Sequence, residues 1–232
     1  MTKQNDMEFP WKSIFSKSYN ELSVGIERQL RENGFIKSDN RSLSVSDFKL
    51  YLRFIASEVK TFLRSNYIYE IGCGNGLFVS ELAKLLQISD FGGSDLSDVR
   101  IKMARDLIPE GDWTCSDACS DLKIKGFVFA NSVLQYFPNS AYFIDLIKRL
   151  EKSKISGLAL LDIPMSNNDT YDFQSRGSYE EQSLRHIRYS PLWIESVIRM
   201  EFKSIEYIST FPQYPLNYHD ETPRFNIVVK NA

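Results

Sequence analysis

The sequence has little cysteine and no long apolar run. Its three cysteines, at positions 73, 115 and 119, are an odd number without a second Cys/His pair nearby. This pattern predicts reduced thiols rather than disulfides or a zinc site. No stretch approaches the roughly 18 apolar residues that a membrane helix needs, and the first residues, MTKQNDMEFPW, lack the layout of a secretory signal peptide. We therefore expect a soluble, cytoplasmic protein that has no membrane partner.

Neither sign of charge is in large excess. Lys and Arg number 28 and Asp and Glu number 30, so the formal net charge is −2. This balance lacks the broad basic footprint of a protein that binds duplex nucleic acid, so no nucleic-acid partner is expected. Apolar residues make up 43% of the 232 residues and charged residues 25%, which is typical of a globular domain. The length predicts one ordinary domain with a modest appendage.

Residues 1–65 are predicted to form an N-terminal helical cap or lid. Within this segment, apolar residues recur at steps of three and four, which places them on one face of a helix. These residues are Phe48, Leu52, Ile55, Val59 and Phe62. Ser44 and Asp47 have the spacing of a capping box, which would start this helix.

From residue 66 to residue 232 the pattern changes to short apolar runs that alternate with helical stretches. Strands are predicted at 67–71, 91–95, 113–116, 127–130, 158–163, 204–211 and 225–229, and helices at 77–86, after Ser97, at 141–150 and from Pro191. This alternation predicts an α/β fold with a doubly wound, mostly parallel, seven-stranded sheet. The last two strands have no helix between them, so the last is expected to insert antiparallel. Variable segments at 164–189 and 212–223 are candidates for the acceptor site.

A glycine-rich loop follows the first predicted strand and opens a helix. It reads Glu70-Ile71-Gly72-Cys73-Gly74-Asn75-Gly76, so its spacing is G-x-G-x-G and not the G-x-x-G ending of the dinucleotide fingerprint. Glu70 would also set a negative charge where a pyrophosphate would lie. The loop therefore favours a nucleoside that carries a cationic group over NAD.

Polar residues also follow the next three strands. Asp95 ends the second strand, 19 residues after Gly76, where an acidic residue can accept hydrogen bonds from ribose hydroxyls. Asp117 and Ala118 follow the third strand, where the carboxylate could accept a hydrogen bond from an adenine amine. Asn131 and Ser132 end the fourth strand, where their polar groups could face a bound ligand. Either aspartate alone could equally be a helix N-cap or a solvated loop residue.

These motifs, in this order, resemble those of the class I S-adenosylmethionine-dependent methyltransferases. YEIGCGNG looks like the first motif of that family, Ser116–Ala118 is similar to its adenine motif, and FANSVLQYF resembles its fourth-strand motif. In the last of these, Gln135 and Tyr136 replace the histidines of the family pattern. The resemblance implies S-adenosylmethionine as the cofactor and a seven-stranded methyltransferase fold. It implies that the following residues bind the cofactor: Glu70, Gly72, Cys73, Gly74, Asn75, Asp95, Leu96, Asp117, Ala118, Asn131 and Ser132.

The acceptor side is predicted from the variable segments. The chain has only two histidines, and we predict His186 as the first candidate for a general base and His219 as the second, with Tyr189 beside them. Three arginines could bind an anionic acceptor, although they could also form a solvated basic loop: Arg176, Arg185 and Arg188. No metal site is predicted. The sequence carries no indication of the oligomeric state.

The predicted function is methyl transfer from S-adenosylmethionine to a small polar metabolite, at oxygen. A sugar, a sugar phosphate or phosphoramidate, or a natural-product intermediate would suit the polar, arginine-bearing segments. Two alternatives stay open, namely N-methylation of a small amine or peptide side chain, and a non-catalytic module that binds the cofactor. Methylation of a base amine is disfavoured because Asn131-Ser132-Val133-Leu134 does not match an N-P-P-Y turn.

Overall fold

The computed structural model describes residues 25–33, 44–120, 124–175, 185–213 and 223–231. These ranges contain six helices: α1 (Ile26–Glu32), α2 (Val45–Val59), α3 (Leu77–Leu86), α4 (Asp98–Leu107), α5 (Ser140–Lys152) and α6 (Pro191–Glu201). They also contain nine strands: β1 (Tyr67–Ile71), β2 (Asp90–Asp95), β3 (Asp112–Cys115), β4 (Phe127–Asn131), β5 (Gly157–Pro164), β6 (Tyr171–Ser175), β7 (Arg185–Tyr189), β8 (Ile205–Pro212) and β9 (Arg224–Asn231).

Seven of the strands form one sheet in the order β3-β2-β1-β4-β5-β9-β8. The first five are parallel to one another, whereas β9 is antiparallel both to β5 and to β8. The predicted doubly wound seven-stranded sheet, with its last strand inserted antiparallel, is therefore confirmed. The carboxyl ends of β1 to β5 share one edge, which we call the ligand edge, and β9 begins at that edge.

The second sheet was not predicted. β6 and β7 form a two-stranded antiparallel sheet in the segment 164–189, which the sequence analysis treats as a variable loop. The pairs Tyr171 with Tyr189 and Phe173 with Ile187 face each other in this hairpin. A single parallel bridge joins Met165 to Tyr189, so the hairpin begins directly after the ligand edge of β5.

Two apolar clusters bury the two faces of the large sheet. One joins α5 and α6 to the sheet through residues such as Phe143, Leu146 and Ile194. The other joins α2, α3 and α4 to the opposite face through residues such as Ile55 and Val79. Because helices cover both faces of the sheet, a ligand can reach it at the ends of the strands, such as the ligand edge.

Local sequence signals explain where several helices begin. Ser44 and Asp47 form a capping box at the start of α2, as their spacing predicts. The side chain of Ser97 accepts a hydrogen bond from the backbone of Arg100 at the start of α4. Pro191 occupies the first turn of α6, where its missing N–H costs no hydrogen bond. Across the described ranges, every helix is too short or too polar to cross a lipid bilayer.

Candidate active site at the ligand edge

The glycine-rich loop joins β1 to α3 at the ligand edge. Gly72, Gly74 and Gly76 all have positive φ angles, of 70°, 56° and 80°. At Gly72 a side chain is also excluded by space, because an added Cβ would lie 2.4 Å from Cγ2 of Val133. Glycine is therefore required where the loop meets the segment that follows β4. This close approach leaves backbone, and no side chain, to face a ligand at this point.

Helix α1 is tied to the same loop by asparagine side chains. Nδ2 of Asn33 donates to Oδ1 of Asn75 at 2.7 Å. Asn75 is fully buried, donates to the backbone oxygen of Gln29 and accepts from the backbone N–H of Leu77. Asn75 was predicted as a cofactor-binding residue of the loop, and in the structure its side chain holds α1 against the start of α3.

Glu70 and Cys73 are directed into the protein at this loop. Glu70 is 2% exposed, and its carboxylate accepts from the backbone N–H of Val79 at 3.3 Å. Burial raises the pKa of Glu70 well above its ordinary value, and the bond from Val79 offsets only part of that shift. Burial likewise raises the pKa of the Cys73 thiol, so it is not a reactive thiolate. The buried side chain of Glu70 thus supports the glycine-rich loop from inside the protein and does not present a charge to solvent.

Asp95 joins the glycine-rich loop to the start of α4. One carboxylate oxygen accepts from the backbone N–H of Gly74 and the other from that of Ser97, both at 2.9 Å. Burial raises the pKa of Asp95, although these hydrogen bonds and the charge of Arg100 act in the opposite direction. A carboxylate has about four acceptor positions, so Asp95 retains capacity to accept from a ribose hydroxyl. The predicted residue Leu96 is half-buried beside it.

Asp117 is held by a tyrosine that the sequence analysis does not identify. Its Oδ1 accepts from the hydroxyl of Tyr142 at 3.0 Å and from the backbone N–H of Cys119 at 2.7 Å. Tyr142 comes from α5, and its ring packs edge-on against Phe137 with centroids 4.7 Å apart. Asp117 is half-buried, as is its neighbour Ala118. Because both hydrogen bonds are to Oδ1, they fix the orientation of the Asp117 carboxylate and do not involve Oδ2.

Asn131 and Ser132 end β4 and take different partners. Oδ1 of the buried Asn131 accepts from the hydroxyl of Tyr51 at 2.7 Å, which connects α2 to the ligand edge. Ser132 is half-buried, has a positive φ of 54°, and its hydroxyl donates to the carboxylate of Asp162. Tyr51 and Asp162 were not predicted as site residues. Asp162 did leave a sequence signal, since it interrupts the apolar run of β5.

Asp162 forms a buried ion pair with Arg224. Nη1 of Arg224 lies 3.2 Å from Oδ2 of Asp162 and donates to the Asp162 backbone oxygen at 2.9 Å. Asp162 is fully buried and Arg224 is 4% exposed. The backbone N–H of Asp162 donates to Oδ1 of Asn226 at 2.9 Å. The antiparallel direction of β9 is what brings Arg224, its first residue, to this edge.

His186, the first candidate base, lies on β7 against the segment that follows Ser132. It is 5% exposed, and its ring packs edge-on against the ring of Tyr136 with centroids 5.0 Å apart. Tyr136 is half-buried and replaces a histidine of the family pattern. The structure therefore brings together Tyr136 and His186, which the sequence analysis considers separately.

Tyr189 has a different position from the one predicted. It is fully buried, stacks on Trp193 with centroids 5.8 Å apart, and its hydroxyl donates to the backbone oxygen of Leu134 at 3.4 Å. Burial also raises its pKa. Its ring is part of the apolar core, and the catalytic role predicted for Tyr189 stays a prediction.

The predicted anion-binding arginines are only partly described. Arg188 forms a two-pronged pair with Asp172, with Nε and Nη2 at 2.5 Å and 2.8 Å from the carboxylate oxygens. Burial alone would raise the pKa of Asp172, but the bonds from Arg188 and Ser166 outweigh it and lower the pKa. Arg188 is thus paired within the hairpin, and its role as an anion contact stays a prediction. Arg176, His219 and the side chain of Arg185 lie outside the described residues.

The ligand edge fits the nucleoside of S-adenosylmethionine. It offers glycine backbone at Gly72, where no side chain fits. It also offers a carboxylate at Asp95 near the end of β2 and a second, fixed carboxylate at Asp117 after β3. These are the groups that a sugar hydroxyl and an exocyclic amine require. Among the residues that the structure describes, no three His, Cys, Asp or Glu side chains are grouped so that they could hold a metal ion.

Comparison with known proteins agrees with this geometry. Residues 69–154 match the family described as "Methyltransferase domain". A curated relative from Salinispora arenicola, a probable non-canonical nonribosomal peptide synthetase, is 29% identical over 117 residues. That match covers 47% of this chain but only 2% of the synthetase.

Solved structures share the fold at low sequence identity. An S-adenosylmethionine-dependent methyltransferase from Clostridium acetobutylicum has a TM-score of 0.60 at 14% identity, covering 80% of this chain and 92% of its own. The magnesium protoporphyrin IX methyltransferase of Synechocystis PCC 6803, solved with bound S-adenosylmethionine, has a TM-score of 0.59 at 16% identity and covers all of both chains. Residues 69–154 thus match a methyltransferase domain family, and the chain has the fold of the class I S-adenosylmethionine-dependent methyltransferases.

Proposed function

We propose that this methyltransferase acts on an oxygen of a small polar acceptor that is bound between the ligand edge and the β6–β7 hairpin. The observation that carries the proposal is the arrangement after β4. Ser132 at the end of β4 leads within four residues to Tyr136, whose ring contacts His186 of the hairpin. The segment from Ser132 to Tyr136 therefore lies between the proposed nucleoside site and His186.

The cofactor side needs little further chemistry from the chain. S-adenosylmethionine supplies an activated methyl group on a sulfonium. Asp95 and Asp117 would orient the ribose and the adenine, and the absence of a side chain at Gly72 would allow the rest of the cofactor to lie close to the loop. The task left to the protein is to align an acceptor with the methyl group and to keep its lone pair free.

The acceptor side has a candidate for the second part of that task. An alcohol has to lose its proton during methyl transfer, so it needs a positioned base. The neutral imidazole of His186 is such a base, and its contact with Tyr136 would hold it beside the segment that follows β4. The pairing of Arg188 with Asp172 removes one cation that an anionic acceptor would have used. A neutral hydroxyl compound, for example a sugar or a natural-product intermediate, therefore suits the hairpin better than a phosphate.

N-methylation of an amine or a peptide group is the second candidate function. Its support is the curated relative, which is described as a nonribosomal peptide synthetase, together with a fold neighbour described as a glycopeptide N-methyltransferase. That neighbour has a TM-score of 0.57 at 13% identity. An amine acceptor would use the same cofactor cradle, so the two candidates differ only in the acceptor.

The test has two stages. Calorimetric titration of the full chain with S-adenosylmethionine and with S-adenosylhomocysteine should give binding at micromolar affinity or better, about −8 kcal/mol. Incubation with methyl-labelled cofactor and a panel of alcohols, sugars and amines should then transfer label to a hydroxyl compound. Transfer to amines alone would favour the second candidate, and binding without transfer to any member would favour a non-catalytic module.

The role of His186 has its own variant. For a hydroxyl acceptor found in the panel, His186→Ala should lower kcat by about 100-fold or more, the usual contribution of a general base. Lys154→Ala, an exposed position after α5, is the control and should keep the kcat of the natural chain. Unchanged turnover in His186→Ala, with an intact fold, would remove His186 from the mechanism.

A further inference from the structure

Two residues at neighbouring strand ends have the left-handed backbone conformation that side chains rarely adopt. In the described part of the chain, the non-glycine residues with positive φ are Gln87, Ser132, Lys154 and Asp162. Gln87 and Lys154 follow helices, where this conformation is common. Ser132, with a φ angle of 54°, instead directly follows β4, and Asp162, with a φ angle of 56°, lies near the end of β5. Strained backbone of this kind persists only when the surrounding structure holds it.

The two strained residues hold each other. The Ser132 hydroxyl donates to Oδ2 of Asp162, and the same oxygen lies 3.2 Å from Nη1 of Arg224. Asp162 is located where the register between β5 and β9 shifts, and Asn226 of β9 binds its backbone N–H. Since Asp162 and Arg224 are buried, their positions relative to the sheet are fixed. Ser132 is thereby anchored to β5 and β9 as well as to its own strand.

The segment that follows Ser132 contacts both sides of the proposed reaction. On the cofactor side, Val133 packs so closely on Gly72 of the glycine-rich loop that no Cβ would fit at Gly72. Tyr136 contacts His186, which is the acceptor side. Gln135 donates to the backbone oxygen of Ser132 at 2.8 Å and closes the turn between them. A rotation at Ser132 would therefore move both contacts at once.

We propose that Asp162 is a positioning residue for methyl transfer, which acts through the hydroxyl of Ser132. The hydrogen bond sets the direction in which the chain leaves β4, and so sets the distance between the methyl group and the acceptor. Arg224 pairs with the same carboxylate oxygen and helps to keep the Asp162 side chain in place. The inference depends on the cofactor binding at the ligand edge, as in the function proposed above.

The test measures the methyl environment and needs no acceptor. The probe is S-adenosyl-L-methionine labelled with ¹³C in its methyl group, bound to the full chain and observed by NMR. In Ser132→Ala and Ser132→Gly, the methyl resonance of the bound probe should move from its position in the natural protein towards that of the free compound. The Kd for S-adenosylhomocysteine, which lacks the methyl group, should change by less than about threefold.

Two comparisons separate positioning from mere folding stability. Lys154→Ala places the same alanine in the same left-handed conformation, away from the site, and should leave the methyl resonance unchanged. Ser132→Gly relieves the backbone strain but still lacks the hydroxyl, so it should be more stable than Ser132→Ala and equally shifted. If Ser132→Gly keeps the natural resonance, only backbone conformation matters and the role of Asp162 is refuted.

The failure of this inference differs from the failure of the proposed function. If the natural chain does not bind S-adenosylhomocysteine, the cofactor site itself is wrong. If it binds and both Ser132 variants keep the natural methyl resonance, the cofactor site stands and the positioning role falls. If an acceptor is found, the same variants should lower kcat about tenfold or more, as small misplacements of reacting groups do, with a smaller change in KM.

Discussion

The side chains of Asn33 and Asn75 share a 2.7 Å hydrogen bond that joins α1 to the glycine-rich loop. The contact is close enough that a Cβ at Gly74 would lie 2.9 Å from Oδ1 of Asn33. Asn75 also binds the α1 backbone through Gln29. The loop that would receive the cofactor is therefore held from two directions, by its own helix α3 and by α1.

Removing this bond should loosen the loop. In Asn33→Ala, Oδ1 of Asn75 loses one of its two donors and keeps the backbone N–H of Leu77, which costs about 0.5–1.5 kcal/mol, the net contribution of one hydrogen bond. We expect weaker binding of S-adenosylhomocysteine in calorimetry and faster hydrogen exchange in α1. Glu27→Ala is the matched control, because it breaks only an exposed 3.5 Å pair with Arg31 on the same helix. Equal affinity in Asn33→Ala and in the natural chain would contradict this account.

Gly72 should not tolerate a side chain. Gly72→Ala forces alanine into the left-handed region, at about 1–2 kcal/mol, and pushes its Cβ against Val133. The expected result is a lower melting temperature and at least tenfold weaker binding of S-adenosylhomocysteine. Adding Val133→Ala removes the contact with Cγ2 at 2.4 Å but keeps the one with Cβ at 2.8 Å, so it should recover only part of the loss. Gly25→Ala, where nothing lies within 4 Å of the added Cβ, should behave as the natural chain does.

The buried carboxyl of Glu70 makes stability depend on pH. Because its pKa is raised above the ordinary value of 4.5, the folded state favours the protonated form. The stabilisation from that proton is complete below pH 4.5 and is lost as the pH rises through the raised pKa. Glu70→Gln stays neutral, so it should unfold at a higher temperature than the natural chain at high pH and show no such gain in acid.

Thermal unfolding across a pH series measures this difference. Glu110→Gln, at an exposed turn after α4, is the control for the loss of one negative charge. A constant difference between Glu70→Gln and the natural chain at every pH would mean that the Glu70 carboxyl does not change its protonation on folding.

Tyr142 should tune the adenine contact through Asp117. Tyr142→Phe removes the hydroxyl that holds Oδ1 of Asp117 and keeps the ring that packs on Phe137. Loss of one hydrogen bond to a charged group costs about 1.5–3 kcal/mol. Only the part of this free energy that orients Asp117 affects the binding of the ligand. We expect about fivefold weaker binding of S-adenosylhomocysteine. Tyr67→Phe, which loses a 3.4 Å bond to Asp112 at the opposite edge, should bind normally.

The strand pattern was predictable because β1, β4 and β5 are short, mostly apolar runs, as is typical of buried parallel strands. The prediction of β1 as residues 67–71 and of the following helix as 77–86 agrees with the structure to the residue. The hairpin of β6 and β7 was missed. Its two strands are polar and mixed in sequence, and their pairing is decided by packing of Tyr171 and Tyr189 on Trp193.

The candidate site was only partly predictable for a similar reason. Backbone requirements leave a mark in sequence, so the glycines and the aspartates at the strand ends could be found. Hydrogen-bond partners that come from distant helices and strands leave little signal in the sequence. Tyr51 and Tyr142 resemble ordinary core residues in their helices, and nothing local pairs Asp162 with Arg224, 62 residues later. Asp162 could have been suspected, because a carboxylate inside an apolar strand needs a buried partner.

The reversed direction of β9 has a further consequence for how the enzyme could diversify. Pro212 ends β8 and Arg224 begins β9, and both lie at the edge where the parallel strands finish. Insertions or deletions between these two residues would leave every described strand with its present neighbours. The length of this connection can therefore vary among related proteins while the scaffold stays unchanged.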